Sequence, residues 1–229
     1  MVETAGRGTR AGCALRTWWD AGASSEATGM HRVGLTISPK QVRIARERAA
    51  HANLRDRLVF VEGDVADFSF SHGECDVVWA MESSEHFAEK ARFLRDAYST
   101  LIPGGQLLLA AWTGSMESAR VGEVARAFLC PELWTAEEYE AAIECAGMKV
   151  TRREDLSTRV LHTWEICRER ARAASAIVKL LPRAARAFVE GIDIILDAYR
   201  SGELSYTVLV ARRQSLQKAG RRSGVLSGL

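Results

Sequence analysis

Four short apolar segments, separated by stretches long enough for a helix, constrain the fold of this chain more than any other feature. They lie at 33–37, 58–61, 76–80 and 106–112. In the second of them, LVFV, the apolar residues follow one another directly, as in parallel strands covered on both faces. The intervening stretches carry apolar residues at helical spacing. This alternation predicts a doubly wound α/β fold with a mainly parallel sheet.

Two helices are predicted between these strands. The first covers 39–52, with Ser38 as its N-cap and Pro39 in its first turn. The second covers 86–101 and is stopped by the Pro103-Gly104-Gly105 sequence.

After Trp112 the spacing becomes mainly helical. Thr135 and Glu138 have the spacing of a capping box, and Gly147 ends the helix that they begin. Residues 158–200 are predicted to be mostly helical with a break at Pro182. Two further strands are predicted, one near 148–154 and the last at 205–211. A helical insertion at about 113–200 therefore precedes the last strand.

The chain divides into three parts by composition. Residues 1–30 are rich in Gly, Ala, Ser, Thr and Arg without a sustained period, so no structure is predicted there. Residues 31–212 form the predicted domain, and the polar, glycine-containing residues 213–229 are predicted to be a loose tail.

The composition of the chain excludes several classes of partner and site. The formal net charge of +2 is too small for the basic surface of a nucleic-acid-binding protein, so no nucleic acid is expected. Five cysteines without a C-x-x-C pair argue against a disulfide framework or a metal site and for reduced thiols in the cytoplasm. No apolar run reaches membrane-spanning length, so no transmembrane segment is predicted. A homodimer is left open.

Ligands of open parallel sheets bind beyond the carboxyl ends of the strands, so the residues that follow each strand are the candidate site. After the first three strands these are, in order, Thr36, Ile37, Ser38 and Gln41; Gly63, Asp64 and Val65; and Met81, Glu82, Glu85 and His86.

The segments VGLTISPKQ, FVEGDV, CDVVWAMESSEHFAEKARFL and LIPGGQLLLAAW resemble successive motifs of class I S-adenosylmethionine-dependent methyltransferases. Within that class they resemble the branch of tocopherol and sterol C-methyltransferases and cyclopropane-fatty-acid synthases. The likeness covers about 31–112, and the stretch FVEGIDIILDAYRSGELSYTVLVARR resembles the end of the tocopherol-type enzymes. It implies a Rossmann-like methyltransferase that uses S-adenosylmethionine to methylate a small, lipophilic or cyclic acceptor.

The resemblance also implies roles for cofactor-binding residues. Thr36 and Gln41 would contact the ribose and the methionine part of S-adenosylmethionine. Asp64 would accept a hydrogen bond from the adenine amino group, with Val65 beside the ring. Ile37, Ser38 and Gly63 belong to the same two motifs.

The third motif supplies the reacting end of the site. Met81 and Glu82 would lie near the sulfonium, while Glu85 and His86 would face the acceptor as catalytic residues. An imidazole with a pKa near ~6.5 suits a general base in methyl transfer.

Simpler roles remain open for the same side chains. Asp64 is also a common turn residue, Ser38 a helix cap and Gln41 a solvated helix residue. His86 is equally suited to a first helical turn, where Glu85 would favour the helix dipole.

The glycine-rich first motif of the family, roughly D-x-G-C-G-x-G, is missing from its expected place before Val33. The chain has WWDAGASSEATGM there, in which Asp20 and Gly22 are the candidate remnant for holding the cofactor. The first motif is either miscoded in a working enzyme or eroded in a catalytically inactive relative that acts by binding or assembly. A nicotinamide-dependent oxidoreductase is disfavoured, because no G-x-G-x-x-G follows a strand.

Overall fold

A computed structural model describes residues 11–15, 31–68 and 72–214. Within these residues one seven-stranded sheet has the order β3-β2-β1-β4-β5-β7-β6. The strands are β1 (Ala11–Leu15), β2 (His31–Thr36), β3 (Leu58–Glu62), β4 (Cys75–Met81), β5 (Leu101–Thr113), β6 (Met148–Asp155) and β7 (Ser205–Arg213). Strands β1 to β5 are mutually parallel, whereas β7 runs antiparallel to both β5 and β6.

The prediction of a mainly parallel α/β sheet is confirmed. All four apolar segments are members of this sheet, as β2, β3, β4 and β5. Strand β5 begins at Leu101, earlier than predicted, because the Pro103-Gly104-Gly105 sequence stays within the strand. The pairing register between β4 and β5 shifts there, between Cys75 and Val77.

Strand β1 was not predicted, and it lies near the centre of the sheet. It pairs with β2 on one side and with β4 on the other. Its sequence, AGCAL, consists mostly of small residues with low strand propensity, so only its two neighbours specify it. The sheet therefore begins before the boundary at residue 31 that the sequence pattern indicates.

Seven helices cover the sheet in the described part of the chain. They are α1 (Pro39–His51), α2 (Lys90–Thr100), α3 (Ala119–Ala127), α4 (Ala136–Cys145), α5 (Ser157–Ala173), α6 (Ser175–Val178) and α7 (Arg183–Arg200). Ser38 caps α1 by accepting from the backbone N–H of Gln41, as predicted. Helix α2 begins four residues later than predicted, because Ser84–His86 form a 3-10 turn and Phe87 is extended.

The helical insertion before β7 is confirmed and contains one unpredicted helix. Helix α3 follows Ser118, whose side chain accepts from the N–H of Val121. Thr135 and Glu138 form the predicted capping box of α4, and Gly147, with a φ of 96°, follows its C-terminus. Pro182 lies between α6 and α7, where the break was predicted.

Two apolar clusters lie on the two faces of the sheet. The first, here called the α2–α4 cluster, includes Leu94, Leu109 and Ile143. The second, the α3–α7 cluster, includes Trp112, Val124 and Ile195. Successive β5 residues alternate between the two clusters, since side chains alternate across a strand. No helix among the described residues is long and apolar enough to span a bilayer.

Candidate active site at the carboxyl edge of the sheet

The loop after β2 is held by its own polar side chains. Thr36 Oγ1 donates to Gln41 Oε1 at 2.6 Å and accepts from the N–H of Ser38 at 3.3 Å. Ser38 Oγ in turn accepts from the Gln41 N–H at 3.3 Å, so its predicted cap role is present. Ile37 is 71% exposed at the tip of this loop. Thr36 bonds to the Gln41 amide oxygen, so the N–H groups of the Gln41 side chain are not used in this contact.

The loop after β3 lies against the loop after β2. The Gly63 N–H donates to the Thr36 carbonyl at 3.0 Å. Asp64 is exposed, and its Oδ1 accepts from the Ala66 N–H at 2.9 Å, the geometry of an Asx turn. Val65 is half-buried against the α2–α4 cluster. Asp64 thus has a turn role, and one carboxylate oxygen remains for a ligand.

Glu82, directly after β4, has a strained backbone conformation. Its φ is 46°, a left-handed value unusual for glutamate, and its N–H donates to the Ala110 carbonyl at 2.8 Å. Its exposed side chain accepts from the Tyr206 hydroxyl at 3.2 Å through Oε1. Met81, just before it, packs against the α3–α7 cluster. Strained residues of this kind are frequent at functional sites.

The next three residues are buried polar side chains. Ser83, Ser84 and Glu85 are all at most 1% exposed. Ser84 Oγ shares a 3.0 Å hydrogen bond with the Tyr139 hydroxyl. Ser83 Oγ has no hydrogen-bond partner in the described part of the chain. Glu85 is therefore enclosed within the protein rather than open to solvent.

His86 ends the 3-10 turn and lies beside a buried thiol. Its Nδ1 is 3.8 Å from Cys130 Sγ, and Cys130 belongs to the α3–α7 cluster. The His86 side chain is half-buried, so it is more accessible than Glu85. The structure therefore places the two predicted catalytic residues differently, with Glu85 enclosed and His86 near the surface.

Lys90, at the start of α2, is an unusually buried lysine, only 1% exposed. Its Nζ donates to the Phe87 carbonyl at 2.8 Å and to the Glu132 carbonyl at 3.0 Å. Burial lowers the pKa of Lys90, and the charges of Glu132, Cys130 and Glu85 oppose that shift. Lys90 thus ties the turn that carries Glu85 and His86 to the segment before α4.

Three buried tyrosines surround the two glutamates of this edge. Burial raises the pKa of Tyr139, and the Ser84 hydrogen bond opposes the shift. Burial also raises the pKa of Tyr206, and so does the carboxylate of Glu82. For Tyr199, burial is again the largest cause of a raised pKa, followed by Tyr206 and the two glutamates. All three phenols are therefore neutral hydrogen-bonding groups at physiological pH.

Aromatic side chains form a wall on the face of the sheet that also carries Tyr199 and Tyr206. Trp112 lies edge-to-face with Phe128 at 5.1 Å and with Trp164 at 6.0 Å between ring centroids. Phe188 extends the wall from Phe128 at 5.4 Å and is 53% exposed. The wall comes from β5, α5, α7 and the end of α3, so the helical insertion supplies most of it.

The strand order brings the predicted residues into two groups. Thr36 ends β2, and Gln41 and Asp64 follow β2 and β3, whereas Met81 ends β4 and Glu82 follows it. Only β1 separates β2 from β4, so the ends of these two strands lie about 10 Å apart at the same edge, with the end of β3 one strand further away. This is the point where the strand order reverses, the usual ligand crevice of such sheets. Asp20 and Gly22 lie outside the described residues.

Sequence reasoning missed Lys90, Tyr139, Tyr199 and Tyr206. None of them follows a strand of the parallel sheet, and their partners lie up to 124 residues away. The only local signal was the apolar alternation of β7. It predicts which face of the sheet carries Tyr206, but it does not predict that Tyr206 contacts Glu82. The described residues contain no cluster of His, Cys, Asp and Glu suited to a metal ion.

Comparison with known proteins agrees with this geometry. A family model described as a methyltransferase domain matches residues 11–109. Tocopherol O-methyltransferase of Arabidopsis thaliana is 24% identical over 199 residues, which cover 81% of this chain and 57% of that protein. The 27-O-demethylrifamycin SV methyltransferase of Amycolatopsis mediterranei is 33% identical over 144 residues, covering 60% and 52%. The chain thus spans little more than half the length of these curated relatives.

Solved structures show the same fold. Geranyl diphosphate C-methyltransferase from Streptomyces coelicolor, in complex with S-adenosyl-L-homocysteine, superposes with a TM-score of 0.71 at 21% identity, covering 92% of this chain and 72% of that one. The [4+2]-cyclase SpnF has a TM-score of 0.74 at 22% identity, covering 91% and 76%. A cyclase on this sheet shows that the fold alone does not name a reaction. The domain match over residues 11–109, the relatives and the sheet order together make this chain similar to the class I S-adenosylmethionine-dependent methyltransferases.

Proposed function

We propose that this protein transfers a methyl group from S-adenosylmethionine to a hydroxyl group of a small lipophilic acceptor. Two of its relatives are an O-methyltransferase of tocopherol and a methyltransferase of demethylrifamycin, and both names denote small organic acceptors. The observation that carries the proposal is the hydrogen bond between Glu82 and Tyr206 at the ligand edge, next to an aromatic wall.

The residues of this edge fit the cofactor. Two carboxylates, Glu82 and Glu85, lie close enough to Tyr199 and Tyr206 to raise the pKa of both phenols. Their field favours a cation at the end of β4, and a sulfonium is a cation. The buried Ser83 hydroxyl has no protein partner among the described residues and can bond a ligand instead. The free oxygen of Asp64 suits the adenine amino group.

When bound, the cofactor supplies a methyl group already activated on its sulfonium. The protein then has three tasks. Thr36 and Gln41 would contact the ribose and the methionine part, Asp64 would hold the adenine amino group, and Glu82 and Glu85 would stabilise the positive charge. The aromatic wall would orient the acceptor and exclude water. The half-buried His86 imidazole accepts the proton that the acceptor hydroxyl loses.

Calorimetry with the full chain tests the cofactor part of this proposal. We expect S-adenosylmethionine and S-adenosylhomocysteine to bind and NAD not to bind. Glu82→Gln should weaken the sulfonium form about tenfold relative to the neutral thioether, because a carboxylate near the cation is lost. Glu89→Gln is the matched control, since Glu89 is exposed and its side chain makes no cap hydrogen bond. An unchanged ratio in Glu82→Gln would remove Glu82 from the sulfonium site.

Transfer of a labelled methyl group tests the reaction. We expect methyl ether products from phenols and alicyclic alcohols. Cofactor binding without transfer to any alcohol would favour the second candidate, a catalytically inactive binding protein. That candidate is motivated by WWDAGASSEATGM, which replaces the glycine-rich motif of the family.

A further inference from the structure

The hydroxyl of Tyr199 is buried without a hydrogen-bond partner in the described part of the chain. Tyr199 lies on α7, is only 7% exposed and packs within the α3–α7 cluster. Buried hydroxyls in native proteins almost always have a partner, so this one requires an explanation. A ligand oxygen that arrives at this position would supply the missing bond.

A second orphaned donor lies on the same face of the sheet. The indole N–H of Trp112 also has no acceptor among the described residues. Trp112 is opposite Tyr206 in the pairing of β5 and β7, and both side chains belong to the α3–α7 cluster with Tyr199. The Tyr206 hydroxyl, by contrast, donates to Glu82. The Tyr199 hydroxyl and the Trp112 indole N–H, both without partners among the described residues, therefore lie in the same cluster as Tyr206, whose hydroxyl is bonded at the carboxyl edge of the sheet.

The surroundings of Tyr199 have the chemistry of an aromatic alcohol site. Burial and the nearby carboxylates keep the phenol neutral, so it can donate to a ligand oxygen. The wall of Trp112, Phe128, Trp164 and Phe188 offers ring edges and faces for an apolar body. Phe188 is 53% exposed, so the wall reaches the protein surface.

We propose that Tyr199 is the specificity residue for the acceptor, with its hydroxyl hydrogen-bonded to the hydroxyl oxygen of an aromatic or alicyclic alcohol. The ring of that alcohol lies against Trp112 and Phe128. This inference rests on the proposed function for the identity of the ligand, but the hydroxyl site can be tested without methyl transfer.

The test compares two probes of nearly equal shape, 2-naphthol and 2-methylnaphthalene, in which a methyl group replaces the hydroxyl. Binding of each to the full chain is measured by quenching of tryptophan fluorescence. Tyr199→Phe should weaken 2-naphthol about tenfold and leave 2-methylnaphthalene unchanged, because only the hydrogen bond is lost. Tyr98→Phe is the matched control, since Tyr98 packs against Arg213 at the other end of the sheet. It should alter neither affinity.

The outcomes separate this inference from the proposed function. The specificity role is overturned if Tyr199→Phe weakens the binding of both probes equally, or if it weakens the binding of neither probe. Failure of the wild-type chain to bind 2-naphthol while it binds S-adenosylhomocysteine also overturns it and leaves the proposed function standing. A selective loss of 2-naphthol binding in a chain that binds no S-adenosylhomocysteine supports the hydroxyl site and refutes the methyltransferase proposal.

Discussion

The same substitution at two buried tyrosines should change stability in opposite directions. Tyr139 and Tyr199 are both buried phenols, at 1% and 7% exposure. The Tyr139 hydroxyl shares a hydrogen bond with Ser84, which is itself 0% exposed. The Tyr199 hydroxyl has no partner in the described part of the chain. Replacement of each by phenylalanine removes one oxygen and keeps the ring, so the hydrogen bond is the only difference.

The expected changes in the free energy of unfolding follow from the presence or absence of that hydrogen bond. Tyr139→Phe leaves the buried Ser84 hydroxyl unsatisfied, which should lower the free energy of unfolding by about 1–3 kcal/mol. Tyr199→Phe removes an unsatisfied group, so the free energy of unfolding should stay constant or rise by up to about 1 kcal/mol. In urea, with a slope of about 2 kcal/mol per M, the midpoint of Tyr139→Phe falls by roughly 0.5–1.5 M.

Equilibrium urea unfolding, followed by circular dichroism, measures both variants. A double-mutant cycle with Ser84→Ala isolates the bond, since the hydroxyl that Tyr139→Phe orphans is then absent. Tyr139→Phe should therefore cost less in the Ser84→Ala background. A loss of more than about 1 kcal/mol in Tyr199→Phe would refute the reasoning, because it would show that the Tyr199 hydroxyl has a stabilising partner in the free protein.

Three further predictions concern the fold and the site. Because the pKa values of Tyr139, Tyr199 and Tyr206 are raised in the folded protein, the free energy of unfolding should be constant below pH ~10 and fall above it by about 1.4 kcal/mol per pH unit for each tyrosine. Absorbance at 295 nm should show these tyrosines ionising together with unfolding. Ionisation of all three in the folded state would contradict this prediction. Thr135→Ala should lower the free energy of unfolding by about 1 kcal/mol through loss of the capping box, against no loss in exposed Thr158→Ala. Asp64→Ala should weaken S-adenosylmethionine binding by about 1–3 kcal/mol in calorimetry, whereas Asp67→Ala, which is exposed on the same turn, should not.

Strands β2 to β5 could be predicted because each is a run of apolar residues long enough to cross the core. The residues that follow them could be predicted as an edge because parallel strands end on the same side. Strand β1 could not, since Ala11, Gly12 and Ala14 carry no strand signal of their own. Its place between β2 and β4 is a property of the neighbouring strands, so tertiary pairing overrides local propensity.

The side chains beyond the strand ends were harder to predict for a different reason. Tyr206 meets Glu82, Tyr139 meets Ser84, and Cys130 meets His86 across 124, 55 and 44 residues. No local period records such a contact, because each partner comes from the helical insertion or from β7. The sequence motifs therefore predict the part of the candidate site that follows the parallel strands, and the fold adds the part that the proposal assigns to the acceptor.

The distribution of orphaned polar atoms links the energetics of the fold to its use. Ser83 Oγ, Trp112 Nε1 and the Tyr199 hydroxyl are all buried without partners among the described residues. Each such group lowers stability by about 1–3 kcal/mol relative to a bonded one. Ser83 follows β4, Trp112 is the penultimate residue of β5, and Tyr199 belongs to the same apolar cluster as Trp112, so the three lie towards the carboxyl edge of the sheet. Trp79 Nε1 and Arg168 Nε are also buried without partners among the described residues, so such atoms are not confined to this edge. A ligand that bonds the three atoms at the edge should raise stability as its occupancy rises.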